Sequence, residues 1–187
     1  VDASLCVACG ICTGACPTAT PFRRAGPLIA GIELPDVPSA QLRERTRQAA
    51  ARIDAAPRIV VYACEHGVEP EAIGDGAAVV GVRCAAALPP SFIDFVLSHG
   101  YADGVVIAGC RYDDCHYRLG ARWVEARLAR RRDPYLRARV PRERLRVHWV
   151  GRLGGRELAA ALARFRTELA ALPAPLAPAA QEAVNEN

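Results

Sequence analysis

The sequence predicts an α/β fold: a small parallel β-sheet of about four strands flanked by helices, behind a cysteine-dense N-terminal half-motif. Three observations predict it. Four short apolar runs recur between residues 58 and 150, each closed by turn residues. Segments of helical period separate them. Four cysteines crowd the stretch Cys6 to Cys16, whereas three of the other four close apolar runs and Cys115 follows the third run by five residues. Strands covered on both faces read as continuous apolar runs, and helices between them act as crossovers, right-handed in nearly all parallel sheets.

The elements follow in order. Residues 1–30 form the cysteine-dense segment, and 31–56 a Pro-containing loop and a helix over Gln41 to Asp54, with Leu42, Ala49 and Ile53 on one side. An α/β unit is expected over 57–172. Its strands are "RIVVYAC" (Arg58 to Cys64), "AAVVGVRC" (Ala77 to Cys84), "GVVIAGC" (Gly104 to Cys110) and "RLRVHWV" (Arg144 to Val150). The stretch Glu65 to Gly76 fits either a short helix or a loop. A helix begins at Pro90 and Ser91 and stops at Gly100. A second starts near Cys115, where Asp113 and Asp114 suit a cap, and carries Tyr117, Ala121, Val124 and Leu128 at helical spacing. A third carries Leu158, Leu162, Phe165, Leu169 and Leu172. Residues 173–187 are Pro/Ala-rich, then polar, and read as a mobile tail.

Composition narrows the function classes. No apolar run reaches the roughly eighteen residues of a membrane span, and no signal peptide is visible. The chain begins at Val1 and contains no Met, so it reads as a processed or excised piece of a longer one. Net charge is +4 and every basic residue is Arg, a bias consistent with GC-rich coding. The cluster from Arg118 to Arg146 reads as a solvated helix face, with docking of an acidic partner as the sharper alternative. No interleaved aromatic pattern points to nucleic acid. Eight cysteines without a secretion signal, in a chain able to build a core, read as metal ligands before disulfides.

Cys6, Cys9, Cys12 and Cys16 follow C-x2-C-x2-C-x3-C-P, the bacterial ferredoxin run. Two-residue spacings let three thiolates grip one cubane, and Gly10 and Gly14 allow close backbone approach. The fourth cysteine of such runs serves the other cluster in two-cluster ferredoxins. The segment is therefore a ferredoxin-like half-motif. Cys6, Cys9 and Cys12 are expected on one [4Fe–4S] cluster, and Cys16 on a neighbour outside this chain; one cluster held by all four, or a zinc knuckle, are the alternatives.

The second set is expected to converge. Cys64, Cys84 and Cys110 each close a strand, and Cys115 follows near a helix start. In a parallel sheet those strand ends share one edge, where ligands gather. Four thiolates suit zinc, [2Fe–2S] or [4Fe–4S]. His66 and His116 flank them, as ligands, as hydrogen-bonding neighbours or as ordinary loop residues. "GRLGG" (Gly151 to Gly155) reads as a plain strand-to-helix turn.

From Arg58 to about Leu128 the chain resembles the delta subunit of methyl-viologen-reducing hydrogenase, a domain also found fused to heterodisulfide reductase subunits. The stretches that carry the resemblance are "GVRCAAALPPSFIDFVLSHGYADGVVIAGC" and "RYDDCHYRLGARW". The resemblance implies a [2Fe–2S] cluster on Cys64, Cys84, Cys110 and Cys115. It also implies a cytoplasmic electron relay in a hetero-oligomer, without substrate chemistry of its own. Its partners would be hydrogenase, formate dehydrogenase or heterodisulfide-reductase-like subunits, with a flavin or quinone link. The family often has C-x2-C after its first strand, whereas this chain reads Cys64-Glu65-His66-Gly67. A redox sensor and a zinc-stabilised interaction module are the rival readings.

Overall fold

In the computed structural model, residues 4–16, 21, 32, 37–74 and 76–173 are described. The strands are β1 (Ile59–Cys64), β2 (Ala78–Val82), β3 (Gly104–Gly109) and β4 (Leu145–Trp149). They form one four-stranded sheet in the order β2-β1-β3-β4, every pair parallel. The helices are α1 (Ile11–Ala15), α2 (Ser39–Ala50), α3 (Ser91–Ser98), α4 (Gly120–Leu128) and α5 (Gly155–Ala171). The α/β expectation holds. The predicted tail beyond 173, and most of the loop between residues 17 and 36, lie outside the described residues.

Each face of the sheet has its own core. Val60, Tyr62 and Cys64 of β1 point to the side of α2, α3 and α4, together with Val105 and Ile107 of β3. Ile59, Val61 and Ala63 point to the other side, against Leu158, Leu162, Phe165 and Leu169 of α5. The two-residue period of a strand creates this division, and the central strands are apolar throughout because both faces are covered. Burying each of those α5 side chains contributes about 1.5–3 kcal/mol before entropy is counted. Tyr62 is fully buried, and its hydroxyl meets the Thr46 hydroxyl of α2 at 3.1 Å. A buried phenol needs such a partner, so the contact fixes α2 over β1.

Several boundaries move from their predicted places. Cys84 lies two residues beyond β2, and Cys110 lies immediately after β3. Pro70–Ile73 forms a 3-10 turn in the ambiguous stretch after β1. The largest correction concerns α4. Asp113 and Asp114 do not cap it: they belong to a 3-10 turn over Tyr112–Asp114, and Cys115 is extended. Arg118 then takes a left-handed φ of 63°. Turn bonds from Arg118 N–H to the Cys115 carbonyl (2.7 Å) and from Leu119 N–H to the Tyr117 carbonyl (2.6 Å) reverse the chain before α4 starts at Gly120. Tyr117 is outside the helix, whereas Ala121, Val124 and Leu128 are buried on it.

Candidate metal centre

The strand order contains a reversal. From β1 the chain steps to β2 on one side, and β3 and β4 follow on the other. The carboxyl ends of β1 and β3 therefore flank the switch point of the sheet, where connections depart in opposite directions and leave a crevice. Cys64 ends β1 and Cys110 follows β3, so both stand at that crevice. Cys84 continues the two-residue period of Val80 and Val82 onto the α4 side. Strict alternation from Val105 and Ile107 would send Cys110 to the α5 side. The strand ends at Gly109 instead, and Cys110 joins the α4-side core with Cys115.

The four thiols are neighbours in a chain of pairs. Cys110 hydrogen-bonds Cys64, Cys64 engages Cys84, and Cys110 engages Cys115. The circle closes at Gly120, the first residue of α4. A Cβ there would stand 2.6 Å from the Cys84 Sγ and 3.2 Å from the Cys115 Sγ. Only a residue without a side chain permits that approach. All four are buried. Among the described residues no three His, Cys, Asp or Glu side chains close on one metal-ion position. The thiols are thus a ring of pairs rather than one tetrahedral knot.

Two of the four, Cys64 and Cys110, are pushed toward the neutral thiol. The hydrogen bond from Cys110 pulls the Cys64 thiol down, but its bond with Cys84 and its burial push it up, and the net is upward. Cys110 is pushed far up, first by its bond to Cys64 and then by burial. Backbone N–H groups oppose this: that of His66 faces Cys64 and that of His116 faces Cys110, each favouring thiolate. Any metal group seated here must displace those protons.

The imidazole rings do not serve the sulfurs directly. His66 and His116 stack on each other, centroids 3.6 Å apart and 13° from parallel. Tyr117 stands edge-on to both rings, its hydroxyl 3.3 Å from the His66 Nε2. Burial, then the neighbouring His116, lowers the His66 pKa. Burial raises that of Tyr117, helped by Cys9, Cys84 and Cys64, in that order. The influence of Cys9 shows that the N-terminal segment lies beside this site. "GRLGG" is a tight turn, its Gly154 N–H bonded to the Gly151 carbonyl at 2.8 Å.

In the N-terminal segment, Ala8 and Gly10 have left-handed φ values of 52° and 74° and lead into α1. Cys6 and Cys12 are exposed, Cys9 is half-buried, and Cys16 is buried at the end of α1. α1 seats on the 3-10 turn Ala85–Ala87, just after Cys84: a Cβ on Gly14 would stand 2.1 Å from the Ala86 carbonyl oxygen. The sequence does not reveal Arg127, which the solvated-face reading placed on the surface. Arg127 is 1% exposed, and Arg144 is also buried. The overlooked signal is helical phase, since Arg127 falls seven residues after Gly120 and three after Val124, on the buried stripe of α4.

A parallel α/β domain with a thiol ring at its switch point, led by a ferredoxin run, defines an iron–sulfur protein by class. Residues 59–173 match the family described as methyl-viologen-reducing hydrogenase, delta subunit, and residues 1–21 match a 4Fe-4S binding domain. The chain belongs to that hydrogenase delta-subunit family. It is 26% identical over 147 residues to a ferredoxin:CoB-CoM heterodisulfide reductase subunit of Methanosarcina mazei, covering 74% of this chain and 18% of that protein. It is 32% identical over 87 residues to an F420-non-reducing hydrogenase iron-sulfur subunit of Archaeoglobus profundus, covering 46% and 63%. It is 28% identical over 115 residues to the F420-non-reducing hydrogenase vhc iron-sulfur subunit of Methanococcus voltae, covering 57% and 79%. The chain thus spans less than a fifth of the length of the heterodisulfide reductase subunit it matches. Among the described residues no helix is long and apolar enough to cross a membrane.

Proposed function

We propose that this chain is an iron–sulfur electron-transfer subunit of an oxidoreductase complex. It would relay electrons between a hydrogenase- or dehydrogenase-type donor and a heterodisulfide-reductase-like, flavin- or quinone-linked acceptor. The observation that carries the reading is the convergence of Cys64, Cys84, Cys110 and Cys115 at one sheet edge, beside the segment that bears Cys6, Cys9, Cys12 and Cys16. The donor set fits an iron–sulfur group: four buried sulfurs, two facing backbone N–H groups, with space kept at Gly120.

Cys64, Cys84, Cys110 and Cys115 are assigned to a [2Fe–2S] cluster. Cys6, Cys9 and Cys12 are assigned to a [4Fe–4S] cluster, and Cys16 to that cluster type in a neighbour. When bound, such clusters take up and release single electrons. The residues of the chain do the rest. The thiols give up their protons, the His66 and His116 N–H groups steady the sulfurs, and apolar strand ends exclude water. The names of the relatives support hydrogenase and heterodisulfide reductase subunits as partners, and the complex is assigned to the cytoplasm as part of the proposal.

Anaerobic purification tests the reading. The protein is expected to be brown, with iron and acid-labile sulfide in matching amounts, and to give distinct [2Fe–2S] and [4Fe–4S] EPR signals on reduction. Cys110→Ser or Cys115→Ser is expected to remove the [2Fe–2S] signal alone. A colourless, zinc-loaded protein overturns the assignment, and loss of both signals from either variant argues against separate sites.

A further inference from the structure

Arg127 is buried between the two cysteine sets. Its Nη1 donates to the Ala86 carbonyl at 2.6 Å, and its Nη2 donates to the Ile11 carbonyl at 3.2 Å. Ala86 belongs to the turn that follows Cys84, and Ile11 precedes Cys12 in α1. The Nε is buried and has no hydrogen-bond partner among the described residues. The charges that act on this guanidinium are Arg132, which repels it, and Cys84, which attracts it. Burial, first, and then Arg132 lower its pKa to about 10, which leaves it charged at neutral pH. No carboxylate pairs with it among the described residues. A buried cation without a counter-charge is costly, so such cations are ordinarily paired. Cys84 is the one group acting on it that becomes negative on giving up its proton.

We propose that Arg127 is a positioning residue shared by the two cysteine sites. Its buried positive charge compensates the negative charge of thiolate-held iron–sulfur groups, and its two bonds hold the Cys12 helix on the turn that follows Cys84. The inference rests on the iron–sulfur reading above. Its consequence has a definite sign. Reduction adds negative charge, and a fixed positive charge in a low-dielectric interior favours the reduced form. Removing that charge therefore moves both midpoint potentials negative.

EPR-monitored redox titration of the reconstituted full chain tests this. Arg127→Met keeps most of the stem volume but loses the charge and both donors, and is expected to shift both midpoints negative. Arg127→Lys keeps the charge and is expected to return them most of the way to wild type. Midpoints unchanged in Arg127→Met at full iron content overturn the proposal. So does a shift in Arg127→Lys as large as that in Arg127→Met, because charge is then not the cause. If Arg127→Met does not fold or load, Arg127→Gln replaces it with the same two outcomes. Wild-type protein that takes up no iron refutes the iron–sulfur reading itself, a result distinct from loaded protein with unmoved potentials.

Discussion

Gly120 shows how one missing side chain shapes a site. Its Cα faces the sulfurs of both Cys84 and Cys115, and a methyl there would stand 2.6 Å from one and 3.2 Å from the other. Neither sulfur can retreat easily, since both belong to the packed core on the α4 side. Under the cluster assignment proposed above, Gly120→Ala is therefore expected to abolish the [2Fe–2S] EPR signal while the [4Fe–4S] signal persists. Wild-type intensity of both signals in that variant refutes the cradle. The sequence reports Gly120 only as a glycine after "DCHY", with no sign that sulfurs press on it. Arg127 is equally opaque, one of many arginines in a charged stretch, because its burial depends on where α1 comes to rest. The eight cysteines, by contrast, are legible individually as candidate ligands, from their number and from the C-x2-C-x2-C-x3-C spacing of the first four. The roles of His66 and His116 are legible in position but not in kind: their backbone N–H groups face the sulfurs while their rings stack together.

Elements buried on both faces are the most legible. β1 and β3 are apolar at every position, a pattern that no neighbouring element can disguise. The start of α4 is obscured because Asp113 and Asp114 resemble a cap, yet the chain must reverse at Arg118 to bring Cys115 under Gly120. Local propensity cannot see that demand, which arises from the site. The segment before β4 poses a similar problem, since its arginines are not all solvated. Arg139 grips the buried Asp94 of α3 through Nε (3.0 Å to Oδ1) and Nη2 (2.8 Å to Oδ2), and Arg137 adds a bond of 3.0 Å. Asp94 is 2% exposed, whereas both arginine side chains are more than half exposed, so water screens the ion pairs. Asp94→Ala is then expected to cost about 1–3 kcal/mol, chiefly the lost charge-assisted hydrogen bonds, as read by urea unfolding. Arg139→Ala combined with it should add little further loss. Strict additivity of the two would show that the contact contributes nothing.

At the scale of the whole molecule, the question is whether the clusters build the fold or the fold builds the cluster sites. Small metal domains without a core unfold when stripped, because their binding energy is their folding energy. This chain differs, for each face of its sheet has an apolar core, and Ile59, Val60, Val61 and Tyr62 are wholly buried. Cys64 and Cys110 belong to the core on the α4 side, whose other members are chiefly apolar strand and helix residues that need no metal to pack. The thiol ring also has internal hydrogen bonds of its own, so the protonated site is not left unsatisfied. α1 is the exception: at five residues it is too short to persist alone, and it relies on Gly14, Ile11 and the Arg127 bonds for its seat. Chelator-stripped protein is therefore expected to keep its α/β far-UV circular dichroism and to unfold in one cooperative transition. Reconstitution should raise that midpoint, as any ligand of the native state does, with little change in the spectrum. A stripped chain that loses its cooperative transition would mean that the cores on the two faces are insufficient and that the sulfurs, not the side chains of β1 and β3, organise the sheet.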